Sequence, residues 1–260
     1  MPTPHGPRVA ILKADGTNCE AETQYAFALV GARPEIVPMN CLRFRETRLS
    51  DFDVLVVPGG FSYGDDVVSG KILAVELMSF LADELAAFAA AGRPIVGVCN
   101  GFQVLVRTGL LPFGRLGTMS ATLGQNVSGH YECRWVRVRK EGAADILAGL
   151  PDHSALELPV AHGEGRFFAE PGVLAQMEAA GLVALRYVDD AGRATQDFPA
   201  NPNGAQHAIA GVTDPTGRIL GLMPHPERFL QRFHHPDWRN RPAEAEPHGV
   251  GFFRSIAALA

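Results

Sequence analysis

The chain has 260 residues, of which 47% are hydrophobic and 20% charged, a balance typical of a globular protein with one large core and not of a disordered or fibrous chain. Lysine and arginine number 23 against 28 aspartate and glutamate residues, so the net charge is −5, and no basic run is long enough to follow a phosphate backbone. These numbers argue against nucleic acid as a partner.

The N-terminus and the cysteines indicate the cellular compartment of the protein. The opening MPTPHGPRVAIL lacks a charged region followed by a long apolar run, and no segment approaches the ~18 consecutive apolar residues of a membrane span. The four cysteines form no CxxC pair and no cysteine-histidine cluster of the zinc type. We therefore expect a cytoplasmic protein with reduced thiols, no membrane contact, no disulfide and no bound metal.

Three short runs rich in valine and isoleucine predict strands that are buried on both faces of a parallel sheet. They lie at residues 8–12, 54–58 and 94–99. Before the third run, apolar residues recur at helical spacing from residue 69 until Gly92 and Pro94 end the pattern, which predicts one long helix. This alternation predicts an α/β fold with a doubly wound, mainly parallel sheet that binds ligands at the C-terminal ends of its strands.

The second half of the chain has a different pattern. Residues 131–140 and 156–168 predict antiparallel strands added to the sheet, and residues 217–227 predict a strand that leads into a loop. A polar, proline-bearing stretch at 231–248 predicts a surface excursion, in which we interpret His234 and His235 as surface residues. We find no internal repeat and predict a single domain over residues 1–260.

The stretch PIVGVCNGFQVL at 94–105 places Cys99 at a bend between a predicted strand and a predicted helix. Gly97 and Gly101 leave room for the backbone to turn, as in the G-x-S-x-G elbow of hydrolases, with sulfur in place of oxygen. A thiol at a helix N-terminus also gains from the helix dipole, which favours the thiolate. Cys99 is therefore placed for nucleophilic attack; the alternative is a small buried cysteine at the end of a strand.

A cysteine nucleophile needs a base and a group that orients the base. The stretch MPHPER at 223–228 offers His225 and Glu227. Residues before proline avoid the helical region, so we expect an extended chain at His225, in which side chains two apart share a face and Glu227 reaches the imidazole. A surface His-x-Glu pair is the alternative, but with Cys99 the pair completes a candidate Cys-His-Glu triad.

Attack on a carbonyl creates an oxyanion, which needs hydrogen-bond donors. Gly59 and Gly60, in the stretch VVPGGFSYGDD that follows a buried strand, would present bare backbone N–H groups at the sheet edge that carries Cys99. The backbone N–H of Asn100, the residue after the nucleophile, is the second candidate donor. The alternative is that the two glycines form only a tight turn.

Four stretches in this order, PGGFSYGDD, GVCNGFQVL, AHGEGRF and MPHPER, closely resemble the class I, triad-type glutamine amidotransferases of flavodoxin-like fold. Together with DGTNCE at 15–20 and NPNGA at 201–205, they resemble one branch of that family, the glutaminase subunits of phosphoribosylformylglycinamidine synthase. The resemblance runs from residue 8 to residue 230. GxCxG and PHPE alone identify only the superfamily, whereas the longer stretches together are specific to this branch.

The resemblance implies hydrolysis of L-glutamine to glutamate and ammonia. Cys99 would attack the side-chain amide to form a γ-glutamyl thioester, His225 would pass a proton to the departing ammonia, and Glu227 would orient His225. The HGEGRF stretch would border the glutamine pocket. The other substrate contacts would come from Gly60 and Asn100, as oxyanion donors, and from Gln103.

The resemblance also implies a partner. In the family, ammonia passes to a synthetase subunit that uses ATP to convert formylglycinamide ribonucleotide to the amidine in purine synthesis, and the sequence leaves the need for a third small subunit open. This chain has neither GxxxxGK[ST] nor a glycine-rich dinucleotide loop, so we expect no cofactor here and assign ATP and magnesium to the partner. Because uncoupled hydrolysis would waste glutamine, we expect weak activity before docking.

Two other functions remain as alternatives. The first keeps the triad in a γ-glutamyl hydrolase or a cysteine peptidase of flavodoxin-like fold, although a free-standing hydrolase has no reason to carry GTNCE and HGEGRF. The second is a non-catalytic scaffold, against which the intact triad argues. Cys19 lies in the DGTNCE stretch, where the resemblance places it near the subunit interface, and Cys41 and Cys133 have no visible base. We interpret all three as structural.

Overall fold

The structure is a computed structural model that describes residues 6–65, 68–142, 144–152 and 155–260, so Asp66, the last residue of PGGFSYGDD, lies outside the described residues. The strands are β1 (Arg8–Lys13), β2 (Arg33–Pro38), β3 (Val54–Val57), β4 (Ile95–Val98), β5 (Ala121–Gly124), β6 (Glu132–Lys140), β7 (Ala155–His162), β8 (Arg166–Ala169), β9 (Val183–Tyr187), β10 (Ile209–Thr213) and β11 (Ile219–Leu222). The α-helices are α1 (Glu20–Leu29), α2 (Met39–Arg43), α3 (Lys71–Phe80), α4 (Ala82–Ala90), α5 (Asn100–Thr108), α6 (Pro171–Ala179) and α7 (His248–Leu259).

The described strands form a nine-stranded sheet in the order β2-β1-β3-β4-β11-β10-β9-β6-β7 and a separate pair, β5 with β8. The strands from β2 to β11 in this order pair in parallel, whereas β10, β9, β6 and β7 are added in antiparallel fashion. The predicted mixed sheet is therefore confirmed. Its middle strands β3, β4 and β11 are buried along their whole length, as their unbroken apolar sequences require.

Helices pack on this sheet in two groups. Helix α1 packs against α7, with the rings of Phe27 and Phe253 in edge contact at 4.9 Å. Helix α3 packs against α4 and α5, and α5 also lies on β3, β4 and β11. The element that begins at the nucleophile bend is thus held by the three middle strands of the sheet.

The helix predicted from residue 69 onward is in fact two helices. The chain breaks at Leu81, where φ is −128° and ψ is 10°, and α4 begins at the next residue. Asp83 and Glu84 stand in the first turn of α4, where acidic side chains favour a helix start. The break was not predicted because the apolar spacing continues across it.

The 231–248 stretch is mostly exposed, but our interpretation of His235 as a surface residue is wrong. His235 is buried, and its ring lies 4.5 Å from the ring of Trp135 and 5.6 Å from that of Phe229. His234 is exposed, as predicted. The excursion therefore packs down onto β6 through one aromatic cluster.

Within the described part of the chain, no helix combines the length and the apolar character that crossing a bilayer would need.

Candidate active site

Cys99 occupies a strained bend between β4 and α5. Its φ is 51° and its ψ is −104°, values that an L-residue adopts only where the surroundings enforce them. A Cβ atom on Gly101 would lie 1.8 Å from the Val57 carbonyl oxygen, and one on Gly97 would lie 2.5 Å from the Gly101 carbonyl oxygen. The bend therefore requires both glycines for close packing.

His225 and Glu227 follow β11, the strand beside β4. Both side chains are buried, and His225 Nδ1 lies 2.5 Å from Glu227 Oε1. His225 avoids the helical region as we predicted, but its φ of −105° and ψ of 87° are not those of regular extended chain, and Glu227 lies in a 3₁₀ turn over Pro226–Arg228. The predicted contact between the carboxylate and the imidazole is present. It forms because this turn folds Glu227 back toward His225, and not because the two side chains share a face of an extended chain.

The electrostatics of this pair suit a proton donor. Burial disfavours a charged imidazole, but the charge of Glu227 and, after it, that of Cys99 outweigh burial and hold the pKa of His225 well above its usual value. Nε2 of His225 makes no hydrogen bond of ordinary geometry with the described residues, and Cys99 Sγ makes only a long one, 3.7 Å, to the Ala161 carbonyl oxygen. The sulfur thus acts on the imidazole through its charge and proximity.

The two predicted oxyanion donors flank the nucleophile. Gly60 follows β3, which pairs in parallel with β4, and its φ of 147° is open only to glycine. A Cβ atom on Gly60 would lie 2.8 Å from the backbone nitrogen of Asn18, so the residue is tightly enclosed. Asn100 begins α5, where backbone N–H groups have no partner within the helix.

A cavity of about 210 Å³ opens above Cys99. Its walls come from the loop after β3 (residues 58–65, the oxyanion loop), the chain just before α3, the start of α5, the residue before β6, and the end of β7 with the loop after it. The lining residues are Gly60, Phe61, Asp65, Ser69, Cys99, Gln103, Tyr131, Ala161, His162, Gly163 and Glu164. Gln103 donates a hydrogen bond to the Glu164 carbonyl oxygen at 2.5 Å and accepts one from the Asn100 side chain at 3.1 Å. The structure thus places Gln103 beside the nucleophile, where it also anchors the opposite wall.

His162 of the HGEGRF stretch ties the pocket wall to two other loops. Its Nδ1 lies 3.1 Å from Asn126 Oδ1 and its Nε2 lies 3.4 Å from Asn203 Nδ2, in the NPNGA stretch. Asn203 also donates to the Tyr187 hydroxyl at 3.1 Å. Burial, followed by the charge of His225, lowers the pKa of His162 to about 4, so this imidazole is neutral at pH 7.

Sequence reasoning missed two residues at the site, Cys19 and Arg228. Cys19, which we interpreted as merely structural, is fully buried and accepts a hydrogen bond from Arg228 Nη2 at 3.2 Å. The DGTNCE stretch was a signal for Cys19, but nothing in the sequence linked it to residue 228. Candidate metal ligands on Cys19, His225 and Glu227 lie within 4.8 Å of one another, yet the Arg228 guanidinium at this sulfur disfavours a cation there.

Comparison with known proteins assigns the class. Residues 6–258 match the family described as "CobB/CobQ-like glutamine amidotransferase domain". A glutamine amidotransferase from Thermotoga maritima has the same fold, with a TM-score of 0.56 at 15% identity over 97% of this chain and 96% of that one. The fold is that of this class.

The relatives with similar sequences carry a more specific name than this class. Phosphoribosylformylglycinamidine synthase subunit PurQ of Dehalococcoides mccartyi is 40% identical over 97% of both chains, and that of Thermus thermophilus is 41% identical over 86% of this chain and 90% of the relative. The solved structure of PurLQS from Thermotoga maritima superposes with a TM-score of 0.73 at 30% identity over 96% of this chain and 97% of that one. The chain belongs to the PurQ family of glutamine amidotransferases.

Proposed function

We propose that this chain is the glutaminase subunit of phosphoribosylformylglycinamidine synthase. It hydrolyses L-glutamine to glutamate and ammonia, and a synthetase subunit uses that ammonia with ATP to convert formylglycinamide ribonucleotide to the amidine in purine biosynthesis. The observation that carries this proposal is the convergence of Cys99, His225 and Glu227 at the C-terminal ends of two neighbouring parallel strands. The names of the relatives support the choice of reaction.

The arrangement accounts for each step of the hydrolysis. The Cys99 thiolate attacks the side-chain amide carbon, and the oxyanion takes hydrogen bonds from the backbone N–H groups of Gly60 and Asn100. His225, held protonated by Glu227, gives a proton to the departing ammonia, and the bond between carbon and nitrogen breaks to leave a γ-glutamyl thioester. Neutral His225 then takes a proton from water, which attacks the thioester, and glutamate and the thiolate are released.

The bound glutamine would occupy the cavity above Cys99. Gln103 and the Glu164 backbone stand on opposite walls and are joined by a hydrogen bond, so they fix the width of the pocket. We assign Gln103 a contact with the substrate. Its side chain is held by Asn100 and Glu164, which limits the entropy lost when glutamine binds.

The synthetase is the partner that this function requires. The relatives are named as subunits of the synthase, and the name PurLQS of the Thermotoga maritima structure joins Q with two further components, L and S. We therefore propose a complex with the synthetase subunit and a third small subunit, with ATP and magnesium held by the synthetase. The four cysteines are free thiols, which suits a reducing compartment, and we place the reaction in the cytoplasm.

The test is Cys99→Ser in the reconstituted complex. Glutamine-dependent amidine formation should fall on the order of 10³-fold or more, because the nucleophile is lost. Ammonia-dependent formation should be unchanged, since the synthetase active site is untouched. A Cys133→Ser variant, which alters an exposed cysteine on β6, serves as the matched control.

Three outcomes would contradict the proposal. Retained glutamine-dependent activity in Cys99→Ser would remove Cys99 from the mechanism, and labelling of another residue by a glutamine-analogue electrophile would point to a different nucleophile. A complex of wild-type chain and synthetase that forms no amidine from glutamine would make the chain another kind of cysteine hydrolase.

A further inference from the structure

The loop at residues 15–19, which precedes α1, packs against the loop that carries Gly60. Its backbone pairs with the oxyanion loop through three hydrogen bonds, in which Phe61 N donates to Gly16 O at 3.0 Å, Tyr63 N to Asp15 O at 2.7 Å, and Cys19 N to Gly59 O at 3.3 Å. A Cβ atom on Gly16 would lie 2.0 Å from the Phe61 carbonyl oxygen, so the two loops are in close contact. The position of residue 19 is therefore fixed relative to the oxyanion donor.

The Cys19 side chain points from this loop to the catalytic turn. Its thiol donates to Asn18 Oδ1 at 3.2 Å, and its sulfur accepts from Arg228 Nη2 at 3.2 Å. A Cβ atom on Gly59 would lie 3.2 Å from Cys19 Sγ and 2.8 Å from His225 Cε1, which shows how closely the sulfur and the imidazole pack around that glycine. A residue distant in sequence thus contacts the turn that carries the triad.

The contact with Cys19 matters because the Arg228 guanidinium could otherwise pair with the Glu227 carboxylate. Arg228 directly follows Glu227, and it is a permanent cation with five donors. Glu227 uses Oε1 for His225, while its Oε2 is buried and has no hydrogen-bond partner among the described residues. A free guanidinium beside a half-used carboxylate would compete with His225 for it, because a charged bidentate pair is among the strongest contacts in proteins.

We propose that Cys19 is a positioning residue for glutamine hydrolysis, whose sulfur holds the Arg228 guanidinium away from Glu227 and so leaves Glu227 to orient His225. The inference rests on the proposed function. It does not place Cys19 in contact with glutamine, and it requires neither a disulfide nor a metal.

The test measures glutamine hydrolysis by the reconstituted complex. Cys19→Ala, which removes the sulfur, should lower kcat by about 10- to 100-fold with KM changed less than about twofold, the mark of lost orientation rather than lost binding. Cys19→Ser retains a small acceptor for Arg228 and should recover most of that loss. Cys133→Ala, which removes an exposed thiol, is the matched control and should behave as wild type.

The decisive variant is the double substitution Cys19→Ala with Arg228→Met, which removes the competing donor as well as the sulfur. It should be faster than Cys19→Ala alone, since no guanidinium is left to capture Glu227. A purely structural role for Cys19 predicts the opposite, because two losses of packing would add. Co-elution of each variant with the synthetase on size-exclusion chromatography, together with an unchanged circular dichroism spectrum, shows that the chain is folded and docked.

Three results would overturn the inference: wild-type kcat in Cys19→Ala, a rise in KM without a fall in kcat, or a double variant no faster than Cys19→Ala. The outcome for the proposed function is separate. If Cys99→Ser retains glutamine hydrolysis, the proposed function itself has failed, whereas wild-type behaviour of Cys19→Ala with an inactive Cys99→Ser contradicts only the role of Cys19.

Discussion

Two buried histidines beside the nucleophile have opposite pKa shifts. Burial pushes both toward the neutral form, and at His162 it prevails because the partners are the neutral amides Asn126 and Asn203. At His225 burial is outweighed by the charges of Glu227 and Cys99, so the pKa rises. The neutral form of the imidazole is thus favoured at His162 and the charged form at His225, and the neighbouring charges decide which.

The neutral state of His162 predicts a pH-dependent stability. Its pKa is about 4 in the folded chain and 6.5 when unperturbed, so between these values the unfolded state binds more protons and the free energy of unfolding falls as pH falls. The free energy of unfolding should fall by about 3 kcal/mol in all, with the loss beginning near pH 6.5 and complete near pH 4. His162→Gln should flatten the slope in this window, measured by urea denaturation at several pH values.

The other histidines with shifted pKa values do not affect the comparison of wild type with His162→Gln. The pKa values of His235 and His248 are also lowered by burial, but they contribute equally to wild type and variant. His225 has a raised pKa and acts only above its unperturbed value, outside the window. Parallel slopes for wild type and His162→Gln would show that the imidazole is charged in the folded protein.

At the scale of elements, the nucleophile bend is a contact between α5 and β3. Gly101 lies against the Val57 carbonyl so closely that any side chain would separate the helix from the sheet. The GxCxG pattern predicted this bend from sequence, although the contact with Val57 that excludes a side chain at Gly101 is a tertiary one. The break between α3 and α4 is also an element-scale feature, but it was not predictable, since the same apolar spacing fits one helix or two.

Substitution of Gly101 by alanine should destabilise the chain by more than about 3 kcal/mol, because the new Cβ would lie 1.8 Å from the Val57 oxygen. Gly172→Ala in α6 is the matched control, since a Cβ atom there would meet no atom of the described residues within 4 Å. That change should stabilise the chain by about 0.5 kcal/mol through helix propensity. Chemical denaturation measures both, and equal stability of Gly101→Ala and wild type would contradict the tight contact.

At the scale of the whole molecule, the candidate triad lies at the C-terminal ends of two neighbouring middle strands of the sheet, β4 and β11. Phe61 and Tyr131 at the pocket mouth are about half exposed, and their rings stack with centroids 6.4 Å apart. The loop that carries Phe61 and the loop that carries Tyr131 thus meet over Cys99 through side chains that are not buried in the core. This is the kind of element whose position a docked partner can change at small cost.

We predict that glutamine hydrolysis by the isolated chain is slow and rises when the synthetase is added. The expected gain is about 5- to 150-fold, the range of a typical coupling free energy between two sites. Ammonia release from glutamine, followed with and without partner, measures it. A full rate in the absence of the synthetase would contradict the prediction, and Cys99→Ser with partner provides the blank.

The sequence by itself identified Cys99, His225 and Glu227 as a candidate triad, together with the glycines of the bend and the buried strands. These follow from local patterns: apolar runs, glycines on either side of a cysteine, and a histidine two residues before a carboxylate. Tertiary structure alone decided the contact of Cys19 with Arg228, 209 residues apart, and that of His162 with Asn203, 41 residues apart. Such contacts depend on which strands become neighbours, and that order is an outcome of packing the whole chain which no local pattern contains.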